Sequence, residues 1–274
     1  MSGLTEKTLI DEALISQFEN DGAVCIRKAV DGPTVDRLVE NVQGLIDSQD
    51  ERWTTNRLGG FSDRHLWPTH PWMREFCLTS ELPAIAAQLM RSNVARLFFD
   101  HLFVRDAGTD HGTPWHQDQP YWPFKGRQIA SVWVALSACD VNSSGLRFVR
   151  GSHRWGKSFA PVAFGKDSGS DAFLKTETNA DAMPDFDASP QDYGFLDWVM
   201  EPGDAIVFGA DVVHGAKANS ASESGRMALS VRYVGDDARW DPRPGTDPII
   251  SADKVSVKPG DAPLDDTWFP VAYP

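Results

Sequence analysis

Four residues could do chemistry together: His116, Asp118, His214 and Arg226. His116 and Asp118 sit two apart within the aromatic run Thr113-Pro114-Trp115-His116-Gln117-Asp118-Gln119-Pro120-Tyr121-Trp122. On a strand, residues i and i+2 share a face, so imidazole and carboxylate would point into one cavity with their backbones about 7 Å apart. An imidazole and a carboxylate with room for a third ligand make half of the facial triad that holds non-haem iron. Such a pair is common by chance, and its plain alternative is a surface His and Asp at a strand end. The third ligand is offered downstream by His214, which follows Val212-Val213 and precedes Gly215. Twelve residues on (226 − 214 = 12), Arg226 leads into the apolar run Met227 to Tyr233. A guanidinium there suits a dicarboxylate, which it grips with two parallel bonds.

The elements that must position these groups follow from hydrophobic periodicity. Residues 8–20 predict a helix on the spacing of Leu9, Ile10, Ala13, Leu14, Gln17 and Phe18, stopped by Asp21-Gly22. A short strand at 23–26 follows, then a helix opened by Asp31-Gly32-Pro33 with the stripe Val35, Leu38, Val39, Val42, Leu45 and Ile46. Residues 51–74 read as irregular, rich in Arg and Trp and holding His65 and His70. They cover a core edge or line an entrance. A third helix is predicted over 82–90. From Ala95 the texture changes to strands at 96–105, 129–135, 146–149, 198–200, 205–208 and 227–234. In the strand at 129–135, Val132 and Val134 take one face, Ser131 and Trp133 the other. Short strands with Gly and Pro turns and no interleaved helices predict a closed antiparallel jelly roll, mainly β with flanking helices. The whole chain, 1–274, reads as a single domain: helical support over about 8–92, jelly-roll core over about 95–235, and a tail over 236–274. In the tail, Trp268-Phe269-Pro270 is apolar enough to dock back. The polar stretch 157–193 is a candidate lid or binding loop.

Composition narrows the partners. The net charge of −13 over 274 residues opposes a nucleic-acid footprint and docking on an anionic membrane. Three cysteines, Cys25, Cys77 and Cys139, cannot pair completely and form no CxxC, which fits a reducing cytoplasm. The polar start Met1 to Lys7 has no apolar leader core, and no apolar run reaches membrane-span length.

With these residues in place, the sequence resembles the phytanoyl-CoA dioxygenase superfamily. His116-x-Asp118, His214 and Arg226 stand in that family's order and approximate spacing. Supporting blocks are Ser131-Val132-Trp133-Val134-Ala135-Leu136, Gly145 to His153, Pro202-Gly203-Asp204 and the junction Phe18 to Gly22. The likeness spans roughly residues 10 to 235. It implies a double-stranded β-helix of the cupin-like kind, with Fe(II) held by His116, Asp118 and His214. It implies 2-oxoglutarate held by Arg226, with Gln117 and Trp133 lining its pocket, and O2 as the oxidant. The reaction implied is hydroxylation, or another oxidation, of a small molecule, with release of succinate and carbon dioxide. His101, Trp122 and Arg232 are candidate substrate contacts, with Arg232 either meeting an anionic substrate or pairing with Asp236 or Asp237. His153 reads as a structural turn residue. One departure is Ala216, where some members carry a hydroxyl. No Lys or Tyr upstream of the metal motif matches a further co-substrate contact. A halogenase is disfavoured because Asp118 fills the position a halide would need. A non-catalytic or 2-oxoglutarate-independent cupin is the alternative, and the quartet of His116, Asp118, His214 and Arg226 weighs against it. The substrate class expected is a small metabolite or natural-product intermediate, since an acidic chain does not favour a CoA thioester.

Overall fold

Helix α1 (Glu12–Asp21) is capped at both ends. Asp11 accepts the Leu14 N–H at 2.7 Å, and Gly22, at φ 88°, donates back to the Phe18 carbonyl in left-handed backbone. Helix α2 (Gly32–Asp47) opens the same way, with Asp31 accepting the Thr34 N–H at 2.8 Å and Pro33 in the first turn. The computed structural model describes residues 10–48, 60–162, 180–219 and 223–274.

The stretch expected to be irregular is partly regular. Within it lie strand β2 (Gly60–Arg64) and the start of helix α3 (Pro71–Thr79). Pro71 presets the first turn of that helix, and Met73, Phe76 and Cys77 bury one face of it. Trp67 and Trp72 pack on the same helical core, so they cover a core edge. Arg52, Trp53 and Arg57 lie outside the described residues. Helix α4 (Leu82–Leu89) is apolar nearly all round and correspondingly buried.

Two antiparallel sheets form the body. The larger has the order β1 (Ala23–Ile26), β9 (Ala205–Gly209), β6 (Ile129–Ala135), β11 (Arg226–Val234), β3 (Ala95–Arg105) and β13 (Val271–Tyr273), with β2 also on β3. The smaller runs β4 (Thr113–His116), β10 (His214–Ala216), β7 (Leu146–Val149) and β8 (Phe195–Asp197). Alternation sorts the side chains of the larger sheet. Val132, Val134, Val207, Leu229 and Val231 face the helices. Trp133, Ala135, Ile206, Phe208 and Ala228 face inward against Leu146, Phe148 and Leu196 of the smaller sheet. The mainly β jelly roll expected from the sequence is therefore present.

One strand is displaced from its expected place. The pairing segment is Phe195–Asp197, not 198–200; Leu196 is buried, whereas Val199 is 66% exposed and Met200 makes only an isolated bridge to Cys139. The tail does dock. Phe269 is fully buried beside Phe98, Phe124 and Trp240, and β13 pairs with the start of β3.

Candidate functional site

The smaller sheet brings the distant ligands together. His214, the first residue of β10, pairs in register with His116, the last residue of β4. Asp118 is reached differently from the shared strand face expected of it. The strand stops at His116, and Asp118 takes helical backbone (φ −74°, ψ −38°) at the head of the short turn Gln119–Tyr121. Pro120 has no N–H for a ladder. The N–H groups of Asp118 and Gln119 both donate to the Ala210 carbonyl at 3.0 Å. The turn folds the carboxylate back over the imidazole it follows. Asp118 Oδ1 then lies 3.6 Å from His116 Nε2 and 3.9 Å from His214 Nε2. The three candidate ligand atoms lie within 4.8 Å of one another, and all three residues are buried.

The ring orientations suit a cation site. His116 Nδ1 lies 2.8 Å from the Pro114 carbonyl and His214 Nδ1 3.1 Å from the Val212 carbonyl. A carbonyl only accepts, so each Nδ1 donates its hydrogen there, and each ring turns its Nε2 edge toward Asp118. Burial, together with the neighbouring His116, pushes His214 down to about 3, which keeps it neutral. Burial also pushes the Asp118 carboxyl up, but the adjacent His116 imidazole and the Arg232 guanidinium outweigh it and hold the group well below the usual carboxylate range. Two imidazole nitrogens and a carboxylate oxygen converge on one buried point, so the donor set fits a divalent metal. Ser131 Oγ donates to Asp118 Oδ2 at 3.2 Å and fixes the carboxylate. The rings of Phe148 and Phe208, 5.6 and 4.7 Å away, wall in His214.

Arg226 opens β11 opposite Arg105 and is 3% exposed. Its Nε and Nη1 have no hydrogen-bond partner among the described residues, and Nη2 reaches only Ser144 Oγ, at 3.4 Å. The guanidinium lies 5.6 Å from the Trp133 ring. Burial, and next the charge of Arg105, lowers it to about 10, so it remains a cation at neutral pH. A buried cation with two idle donors fits a carboxylate-bearing co-substrate.

The other expected residues fall in different places. Gln117 does not present its amide to a pocket: it donates to the Lys157 and Asp211 carbonyls, at 3.1 and 2.8 Å, and accepts the Phe159 N–H at 3.0 Å. It ties the metal loop to the flank of the 157–193 stretch, of which residues 163–179 lie outside the described residues. Trp122 packs edge-on against Phe98 and Phe99 within an aromatic cluster. His101 stacks at 3.9 Å on Phe103, and burial holds it well below its ordinary pKa and neutral. Arg232 pairs with neither Asp236 nor Asp237, whose carboxylates instead accept from Asn93 and from the backbone of Arg127 and Gln128. His153 meets the Glu19 carbonyl at 3.0 Å, the turn role expected of it. The sequence assigns no role to two participants: Ser131, although it heads one of the blocks that carry the resemblance and alternation places it on the Trp133 face, and Arg105, which sits beside Arg226 and donates to His111 O and Thr113 Oγ1.

A jelly roll that sets two imidazoles and a carboxylate around one buried point, with a buried arginine on the adjoining sheet that has two idle donors among the described residues, defines a class: the double-stranded β-helix proteins with a His-Asp-His metal pocket. Residues 18–228 match the family model for phytanoyl-CoA dioxygenase (PhyH), and the chain belongs to that family. A probable phytanoyl-CoA dioxygenase of Caenorhabditis elegans is 26% identical over 173 residues, covering 61% of this chain and 52% of the relative. The chain spans about half the length of the curated relatives it matches. The fold is similar to that of the non-heme alpha ketoglutarate dependent carbocyclase SnoK from nogalamycin biosynthesis (TM-score 0.73, 20% identity, 98% of this chain and 99% of that one). It is also similar to EctD from S. alaskensis, solved with 2-oxoglutarate and 5-hydroxyectoine (TM-score 0.68, 16% identity, 96% and 89%). No helix among the described residues is long and apolar enough to cross a membrane.

Proposed function

We propose that this chain is an Fe(II)- and 2-oxoglutarate-dependent oxygenase that hydroxylates, or otherwise oxidises, a small-molecule metabolite or natural-product intermediate. The observation that carries the reading is the pairing of a buried His116, Asp118, His214 cluster with a buried Arg226 whose Nε and Nη1 have no partner among the described residues. A metal-binding protein without 2-oxoglutarate would have no use for that arginine, which is costly to bury unpaired. His116, Asp118 and His214 would hold the iron, each imidazole fixed by its Nδ1 hydrogen bond and the carboxylate by Ser131. When bound, the iron supplies the O2 chemistry that couples decarboxylation of 2-oxoglutarate, to succinate and carbon dioxide, to oxidation of the substrate. Arg226 would hold the distal carboxylate of 2-oxoglutarate with its buried guanidinium, with Trp133 as the wall of that subsite. Phe148, Phe208 and Tyr121 keep water from the imidazoles. The solved neighbours with 2-oxoglutarate bound support the reading by analogy of fold. The three free cysteines suit a reducing compartment such as the cytoplasm. The test is succinate formation from 2-oxoglutarate by purified protein supplied with Fe(II) and O2, with and without a metabolite panel. We expect formation that depends on iron and is stimulated by one class of metabolite. Succinate release no greater than that of His214→Ala would sink the proposal.

A further inference from the structure

A second buried arginine lies on the same inner face. Alternation along β11 puts Arg226, Ala228, Ser230 and Arg232 on one side, and Arg232 pairs across the sheet with Ser131, the residue whose hydroxyl holds Asp118. The register irregularity between β11 and β3 falls after Arg232, so the face is kept up to that residue. Six residues of strand separate the two arginines by about 20 Å at the backbone, too far to share one carboxylate.

Arg232 is 5% exposed. Its Nη1 donates to the Ser230 carbonyl at 3.2 Å, and its Nε has no partner among the described residues. Nε belongs with Nη2 to the edge of the fork that takes a carboxylate bidentately, and the bond to Ser230 leaves that edge open. The guanidinium is held by rings of Phe99 at 4.6 Å, Trp122 at 5.8 Å and Phe103 at 5.9 Å. No carboxylate makes an ion pair or hydrogen bond with it among the described residues, although the charges of Asp118 and Asp100 reach it: Asp118 is turned to the histidines, and Asp100 accepts the N–H groups of Leu66 and Trp67. Beside it on the same face, the Ser230 hydroxyl is buried with no partner among the described residues, and His101 lies opposite Ser230 on β3. The patch therefore offers one positive charge, a free fork edge and a free hydroxyl. Holding them unsatisfied costs stability in the empty protein, a cost a bound anion removes.

We propose that Arg232, assisted by Ser230, anchors a carboxylate carried by the primary substrate, so that the substrate is a small carboxylic acid. The single charge and planar fork favour a carboxylate over a phosphate dianion, whose second charge would stand uncompensated close to Asp118. This deepens the oxygenase reading and rests on it only for placing 2-oxoglutarate at Arg226.

The test holds Fe(II) and 2-oxoglutarate saturating without oxygen and titrates the wild-type protein with acetate, benzoate and cyclohexanecarboxylate, each beside its primary amide at matched ionic strength. At least one carboxylate is expected to bind roughly ten- to a hundred-fold more tightly than its amide, the span of a lost charge-assisted bond. Arg232→Gln should erase that preference and Arg232→Lys keep part of it, while the visible charge-transfer band of bound 2-oxoglutarate still forms in both. No preference in the wild-type protein, or a preference surviving in Arg232→Gln, overturns the proposal. So does loss of the 2-oxoglutarate band in Arg232→Gln, which would make Arg232 the co-substrate anchor. If the wild-type protein never shows that band, the oxygenase reading fails by itself. The carboxylate and amide comparison on metal-free Arg226→Gln protein then still decides the role of Arg232.

Discussion

Replacing Arg226 with methionine should move stability and binding in opposite directions. The Arg226 guanidinium is lowered from its ordinary value to about 10, through burial first and the charge of Arg105 second. At about 1.36 kcal/mol per unit, that is roughly 3 kcal/mol of folding stability spent at neutral pH on keeping the cation uncompensated. The sign follows from the direction: the folded state holds this proton less tightly than the unfolded chain, so the cost is present throughout the range below pH 10. Methionine is unbranched and adaptable, and the hydrogen bond it forfeits among the described residues is the 3.4 Å one to Ser144. The metal-free variant should therefore melt no lower than wild type, and up to several degrees higher at roughly 2–4 °C per kcal/mol. Affinity for 2-oxoglutarate should fall about ten- to a hundred-fold, the worth of about 1.5–3 kcal/mol of charge-assisted bonding. Thermal melts across a 2-oxoglutarate series read both at once, because the ligand-induced rise tracks affinity. A variant that melts well below wild type yet keeps the full 2-oxoglutarate effect would show that Arg226 is structural.

Asp118→Gly should lose iron and most succinate formation, and Asp118→Glu should also fail, since one methylene exceeds the ~0.5 Å tolerance of a preorganised site; full iron loading in either, by metal analysis, would contradict the ligand role. Gln117→Leu removes three backbone anchors, each worth about 1 kcal/mol, and should speed proteolysis within 157–193 while sparing the metal; unchanged cleavage would refute the tether. Acid should destabilise the metal-free protein as pH falls from about 6.5 toward 4, because burial lowers His65 to about 4 and His101 well below its ordinary value, so that the unfolded chain takes up protons first. Asp100 and Asp211, each raised to about 6 by burial, work the other way and gain stability as pH falls through that value. Two carboxyls should not offset the four histidines that burial lowers, His65, His101, His153 and His214, so denaturant melts that strengthen toward pH 4 would refute this balance.

The larger sheet was legible because its two faces meet different surroundings. Val132 and Val134 lie against helices and Ser131 and Trp133 face inward, and period-two alternation records that directly. The identities of His116, Asp118, His214 and Arg226 were legible as a motif, and the structure brings the first three together. The geometry behind the motif was not. Asp118 leaves the strand because its N–H is claimed by Ala210, a residue remote in sequence. Gln117 looked like a pocket residue until the backbone of Lys157, Phe159 and Asp211 took its amide. Helix α3 was hidden by the Arg- and Trp-rich composition around it, and the strand at 195–197 by the β-branched Val199, which stays exposed. The idle donors of Arg226 and Arg232 are tertiary facts: only the folded chain shows which neighbours fail to pair with them.

The most direct test of the central claim is anaerobic titration of purified protein with Fe(II) and then 2-oxoglutarate, followed by visible absorbance, beside His116→Ala and His214→Ala. The account predicts stoichiometric iron and a charge-transfer band in the wild-type protein, and neither in the two variants. The same band at the same iron occupancy in His116→Ala or His214→Ala would contradict it.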